Sequence, residues 1–356
     1  MAPSTVDSTS SGMTYRFLGN SGLLVSKLGL GSWMEYGETK SPELWYEIMK
    51  TAFEHGVNLF DNADSYGVGL GEEYMGAAIK MGIKDGTWKR EDLVLTTKLG
   101  LGTKGFHGGS GPNDQGLTRK HIVEGLKASL KRMDLDYVDV LFCIRPDQYT
   151  PLEETVRAMN YIIERGWAFY WGTSQWPASR IMEACEIADR LGLIRPVVEQ
   201  PIYNMLNRSR VDHEYLHLYK KYKLGLTTWA PLSSGILTGK HSNGTVKGTR
   251  MDIPVMKAFV GEYEQRVANA DKLKPVAEEL GVSLLELAIA WCVSNQNVST
   301  VLIAARNLTQ LKQNLKALSV VEKITPEVKA KIDTLVPFVP EVAKPDWTEN
   351  IRTKFL

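Results

Sequence analysis

The sequence predicts an α/β protein, a (β/α)₈ TIM barrel preceded by a β-hairpin. Three observations carry this. Eight short apolar runs are each followed by a helical pattern. Such alternation pairs strands in parallel through right-handed crossovers. No G-x-G-x-x-G follows the first run, whereas a doubly wound dinucleotide-binding sheet, the alternative, carries that fingerprint at its first turn. Third, polar residues gather just past the ends of neighbouring strands. Asp61-Asn62-Ala63-Asp64-Ser65-Tyr66 closes the second run and Thr97-Lys98 the third, and barrel active sites lie at the C-terminal ends of the strands.

Each element has its own signal. Tyr15 to Leu30 reads as a hairpin turning at Asn20-Ser21-Gly22 and leading into strand one, Ser26–Gly31. The next helix is expected over Glu43–His55, with Leu44, Ile48, Met49, Ala52 and Phe53 on one face. Strand two is expected at Asn58–Asp61, a short helix at Glu72–Lys80 and strand three at Leu93–Lys98. Arg119–Arg132 reads as a helix with Thr118 as its N-cap. Strand four, Tyr137–Ile144, precedes a helix over Leu152–Arg165 stopped by Gly166. Strand five, Ala168–Gly172, precedes Ser179–Leu191, closed by Gly192; strand six, Val197–Gln200, precedes His213–Tyr222. Strand seven, Leu226–Trp229, leads into an insertion and helices over Tyr263–Leu280 and Leu284–Ser294. Strand eight, Val298–Ala304, leads to Leu308–Leu318. The expected organisation is a disordered leader (1–14), the barrel (15–325) and a weakly patterned C-terminal tail (326–356). The glycine-rich run Gly100–Gly111 opens no immediate helix and reads as a lid or surface loop.

Composition narrows the function. Lys+Arg (42) nearly balances Asp+Glu (41), a formal net charge of +1, so no field favours nucleic acid or an anionic membrane. No stretch approaches a membrane span. Three widely spaced cysteines with no C-x-x-C pair argue for a reducing compartment. With no signal pattern at the start, a cytoplasmic location is expected. No His/Asp cluster shows metal-ligand spacing.

Asp61, Tyr66 and Lys98 together form a proton-donating group where a barrel enzyme would keep one. A free tyrosine has a pKa of about 10, and an adjacent ammonium is expected to lower it. A carboxylate would hold that ammonium charged and oriented.

Ordered segments extend the pattern to a family. They are Leu18-Gly19-Asn20-Ser21-Gly22-Leu23, Leu28-Gly29-Leu30-Gly31-Ser32-Trp33, Asn58-Leu59-Phe60-Asp61-Asn62-Ala63, Thr96-Thr97-Lys98 and Leu117-Thr118-Arg119-Lys120-His121-Ile122. Tyr137-Val138-Asp139-Val140, Arg145-Pro146-Asp147, Tyr170-Trp171-Gly172-Thr173-Ser174, Trp229-Ala230-Pro231-Leu232 and Ala288-Ile289-Ala290-Trp291-Cys292 follow. Across Tyr15 to Leu318 the chain resembles the aldo-keto reductases, within them the branch that includes voltage-gated potassium channel β-subunits.

The resemblance implies a barrel that holds NADPH without a Rossmann domain and passes hydride to an aldehyde or ketone. It implies Asp61, Tyr66 and Lys98 as three of four catalytic residues. Ile144 stands where the fourth, His or Asn, is carried, and it offers the substrate no hydrogen bond. None of the six histidines is an obvious replacement by sequence; His107, in the loop after strand three, reads as an exposed loop residue. Trp33, Ile144 and Arg145 would shape the substrate mouth.

For the cofactor, the resemblance implies Gly31, Ser32, Trp33, Asp61 and Gln175 among the binding residues, with Ser174 and Gln200 on the nicotinamide carboxamide. Trp229 would sit by the ring, and Ala230, Pro231, Leu232, Ser233, Ser234 and Gly235 along the pyrophosphate. Lys240 and Arg250 would contact phosphates, and Ala304, Arg306, Gln310, Gln313 and Asn314 the adenosine end. Gln175 departs from the channel-subunit Arg. Arg306 departs from the channel-subunit Ser but agrees with branches where an Arg pairs with the 2′-phosphate. A planar guanidinium suits that group, so NADPH is expected over NADH.

Two functions follow from the resemblance. One is NADPH-dependent reduction of a small-molecule carbonyl with Tyr66 as general acid, weakened by Ile144. The other is an NADPH-binding regulatory β-subunit, a homotetramer docked on a potassium channel, with slow or no turnover.

Overall fold

The structure is a computed structural model that describes residues 12–33, 41–105 and 110–340. Its strands are β1 (Tyr15–Phe17), β2 (Leu24–Ser26), β3 (Leu28–Gly31), β4 (Leu59–Asp61), β5 (Val94–Leu99), β6 (Val138–Ile144), β7 (Ala168–Ser174), β8 (Val198–Gln200), β9 (Gly225–Thr228) and β10 (Val298–Ile303). β1 and β2 form an antiparallel hairpin, and the other eight close a parallel barrel in sequence order, β10 pairing with β3. The helices are α1 (Pro42–Glu54), α2 (Leu70–Asp85), α3 (Arg119–Met133), α4 (Leu152–Glu164), α5 (Ala178–Arg190), α6 (Leu216–Tyr222), α7 (Pro254–Val260), α8 (Tyr263–Glu279), α9 (Leu284–Val293), α10 (Leu308–Leu315) and α11 (Pro326–Leu335).

The caps explain several boundaries. Ser41 accepts from the Leu44 N–H, with Pro42 at the first helical position. Thr118 accepts from the His121 N–H as expected, and Ser283 and Glu286 cap each other at the start of α9. Strand one of the sequence reading divides at Lys27, its first residue going to the hairpin. Two helices were not expected: α7 inside the insertion and α11 inside the expected tail. Met13, at the end of the expected leader, is buried against Gly56. His107 lies outside the described residues.

Strand periodicity sets the layers. Successive side chains alternate between the lumen and the surrounding helices. Leu59, Val94, Val140, Phe142, Val198 and Leu302 pack in the lumen, together with Leu18 and Val25 of the hairpin. Phe60, Leu95, Leu141 and Cys143 face the larger core beneath the helices. The hairpin closes the N-terminal end of the barrel. Gly19 (φ +57°) lies so close to it that a Cβ there would meet the Val197 carbonyl at 2.0 Å, so only glycine fits.

Counting upward in twos from that floor gives the other end of the lumen. Leu59 leads to Asp61, Val94 to Thr96 and Lys98, Phe142 to Ile144, and Val198 to Gln200. Four strands thus deliver their polar or terminal inward residues to one place, the C-terminal face.

Candidate active site

Lys98 is the centre of the site. Its side chain is only 1% exposed, and a buried ammonium is costly unless paired. Its Nζ donates to Asp61 Oδ2 (2.6 Å), to the Asn62 carbonyl (2.6 Å) and to the Tyr66 hydroxyl oxygen (3.2 Å). Asp61 is held in turn: its Oδ1 accepts from Thr96 Oγ1 (2.7 Å) and Gln200 Nε2 (3.0 Å). Because Lys98 donates to the tyrosine oxygen, the Tyr66 proton remains for another acceptor.

The balance of charges corrects one expectation. Burial pushes the Tyr66 hydroxyl up, and the lowering by Lys98, partly undone by Asp61, does not overcome it; the net pKa lies above the ordinary value of 10. For Lys98 burial pulls down, but Asp61 and Tyr66 together raise its pKa. The ammonium therefore stays charged, and the phenol stays protonated through neutral pH.

Tyr66 opens a tight turn after β4 in which Gly67, Val68 and Gly69 have positive φ (59°, 56° and 95°). Its ring lies 6.4 Å from that of Trp33 at an interplanar angle of 26°. Trp33 meets Trp229 edge-on at 5.5 Å and Phe259 of α7 at 6.5 Å. Arg250 lies over Trp33, 4.8 Å from the ring centroid, and donates to its carbonyl. Ile144, half-buried, ends β6 opposite Ser174 and adds an apolar wall. Arg145 is buried, with a left-handed backbone (φ 65°) and its N–H on the Ser174 carbonyl (2.8 Å).

The expected cofactor residues fall along one arc of this face. Gly31 ends β3 beside Asp61, and the buried Ser32 donates its N–H to the Asp61 carbonyl (3.0 Å). The Ser174 hydroxyl donates to the Gln200 carbonyl (3.0 Å). With its amide turned so that the oxygen faces donors, Gln175 accepts from the Trp229 indole N–H (2.8 Å) and the Ile202 N–H (2.6 Å), fixing Trp229. After Trp229, Ala230 (φ 55°) is braced by Asn204 on its carbonyl (2.9 Å), and Pro231 and Leu232 lead into a run of three positive φ values. Ser233, Ser234 and Gly235 have φ of 47°, 56° and 100°. Turns of this kind gather N–H groups into anion-binding concavities.

Lys240 lies beside that turn, and the charge of Arg306 reaches Lys240. A Cβ on Gly235 would come 3.6 Å from Lys240 Nζ. Burial, then the charge of Arg306, lowers the pKa of Lys240. Two cations held this close suit a polyanion, so the residues present fit a dinucleotide phosphate. Arg306 donates its N–H to Gln310 Oε1 (2.9 Å), and Asn307 caps α10 through the Gln310 N–H (2.9 Å). Asn314 donates to the Ala304 carbonyl (3.0 Å), whereas Gln313 is exposed.

The model of the Aldo/keto reductase family matches residues 27–337. The chain belongs to that family. Over 350 residues it is 49% identical to a protein of Arabidopsis thaliana and to one of Oryza sativa subsp. japonica, each named a probable voltage-gated potassium channel subunit beta. Each match covers 96% of this chain and 100% of the relative. Among the described residues no helix is long and apolar enough to cross a membrane.

Three contributors were not assigned from sequence. Thr96 shares the inward face with Lys98, a position the two-residue period marks. The Asn62 carbonyl and Phe259 carry no comparable signal, the first being backbone and the second belonging to a helix with no buried residue.

Proposed function

We propose that this aldo/keto reductase reduces an aldehyde or ketone with NADPH, with Tyr66 as the general acid. One observation carries the reading: a buried ammonium, Lys98, that donates at once to a carboxylate and to a tyrosine hydroxyl at the strands' C-terminal ends. NADPH, when bound, supplies the hydride. Tyr66 gives its proton to the carbonyl oxygen. Lys98 stabilises the tyrosinate left behind, Asp61 keeps Lys98 charged and aimed, and Thr96 and Gln200 hold Asp61 still. Proton transfer of this kind is worth about 10²–10⁴ in rate. Trp33, Ile144 and Phe259 offer the substrate apolar walls. Lys240 and Arg306 would hold phosphate, with the Arg306 guanidinium favouring a 2′-phosphate and so NADPH over NADH.

A second reading has its own support. The two plant relatives carry a channel-subunit name, and Ile144 presents no donor where the family carries one. In that reading the protein is a cytoplasmic homotetramer that holds NADPH, turns over slowly and docks on a potassium channel. Single-turnover oxidation of bound NADPH by a reactive aromatic aldehyde separates the two. Reaction in the parent and its loss in Tyr66→Phe supports the enzyme; no reaction in either supports the binding role.

A further inference from the structure

Directly behind the turn that carries Tyr66 lies a carboxyl group that the reaction does not use. Asp64 is 1% exposed. Its backbone N–H donates to the Lys98 carbonyl (3.2 Å), tying this turn to β5. Among the described residues neither carboxyl oxygen has a hydrogen-bond partner. The charged groups that face it are Glu72 from α2, Arg132 from α3 and Lys98 from β5. Two of these are already committed. Arg132 Nε donates to Glu72 Oε2 (2.7 Å), and Thr97 Oγ1 donates to Glu72 Oε1 (2.6 Å). Lys98 is engaged in the lumen. A charge on Asp64 would therefore stand buried beside a second carboxylate, favoured only by the adjacent Ser65 backbone N–H and by two cations already engaged elsewhere.

The turn is also poorly placed to resist such a charge. After Tyr66 three consecutive residues take positive φ, and the middle one, Val68, is β-branched and 48% exposed. A bulky residue rarely sits in that region, and strained segments persist only where their surroundings over-determine them. Here the surroundings include Arg132, whose Cδ would lie 2.9 Å from a Cβ on Gly69.

We propose that Asp64 is a positioning residue for Tyr66: as a neutral acid it seats the 62–69 turn against the Glu72–Arg132 pair, and its ionisation unseats the turn and withdraws the tyrosine. This rests on the enzyme reading for its effect on turnover, but not for its effect on the turn. Burial, and then the charge of Glu72, push the Asp64 carboxyl up to about 8, which places the transition in an accessible range.

The test compares the full chain with Asp64→Asn and, as a second neutral side chain, Asp64→Leu, between pH 6 and 9.5. Hydrogen exchange, corrected for its intrinsic pH dependence, is read in peptides covering residues 62–70. The parent is expected to lose at least tenfold in protection between pH 7 and 9, and at least one neutral variant to keep it. In parallel, kcat for reduction of 4-nitrobenzaldehyde by NADPH is expected to fall about tenfold over that interval in the parent and to stay level in that variant, with KM for NADPH unchanged in both. Protection that follows the same course in parent and variants overturns the proposal. So does a kcat that falls equally in all three. If no protein turns over, the enzyme reading fails, and the exchange data alone still support or overturn the seating of the turn.

Discussion

Replacing Lys98 with methionine tests the centre of the site, because the side chain keeps its length and loses only its charge and donors. Three hydrogen bonds disappear, to Asp61, Asn62 and Tyr66. Breaking a buried ion pair by removing one partner costs about 3–5 kcal/mol, since the other charge remains buried. Asp61 still accepts from Thr96 and Gln200, which places the loss near the lower end, about 3 kcal/mol. Unfolding entropy of roughly 2.1 cal/mol/K per residue gives about 750 cal/mol/K for a chain of this length, so the midpoint should fall by about 4 °C. Adding Asp61→Asn should return most of that loss, because no charge is then stranded. Turnover should drop by about 10²–10⁴, the scale of the proton transfer it supports, and the double variant should not regain it. Thermal unfolding of the four proteins, followed by stopped-flow oxidation of NADPH, reads both effects. A Lys98→Met protein that melts with the parent, or a double variant that is the sum of the singles, would refute the coupling described here.

Other outcomes follow from the same geometry. Ile144→His places a donor at the end of β6 and should raise kcat for an aromatic aldehyde by about 10²–10³, the usual worth of one such group; steady-state rates check this, and no gain would show that Ile144 is not beside the reacting oxygen. Arg306→Ala should weaken NADPH by about tenfold or more while leaving NADH within a factor of two, since a lost charge-assisted hydrogen bond is worth about 1.5–3 kcal/mol; fluorescence titration with both nucleotides decides it. Glu199, outward-facing on β8 and bonded to Thr173 and the Trp176 N–H, has its carboxyl pushed up to about 7 by burial. Its folded pKa exceeds the unfolded value of 4.5, so the folded state binds the proton more tightly and its stability contribution falls as pH rises from about 4.5 to about 7. Glu199→Gln should therefore gain in melting temperature over the parent across that window and hold level above it.

The barrel was legible in the sequence because eight short apolar runs each precede a helix whose apolar face repeats near every four residues, and several of its helices end in recognisable caps. Their place at strand ends drew attention to Asp61 and Lys98, and counting back two residues from Lys98 would have added Thr96. Two helices escaped for a common physical reason. α7 buries none of its residues and α11 buries only Ile332, so neither has an apolar stripe to read. The direction of the Tyr66 shift escaped because it is a contest between burial and a neighbouring ammonium, and burial is a property of the assembled fold. Asp64 escaped for the same reason. In the sequence it is one more polar residue in a loop, and only the approach of α2 and α3 turns it into an enclosed acid.

The hairpin under the barrel has a consequence for traffic. With Leu18 and Val25 in the lumen and Gly19 pressed on the wall, the protein is a cup with a base. Whatever enters over the rim must leave over it. On the proposed function, a spent molecule would block its replacement until it departed, and occupancy would become a queue. Residence at the rim, where Trp33, Arg250 and Phe259 meet, would then govern the pace of the cycle whenever departure is slower than the chemistry beneath.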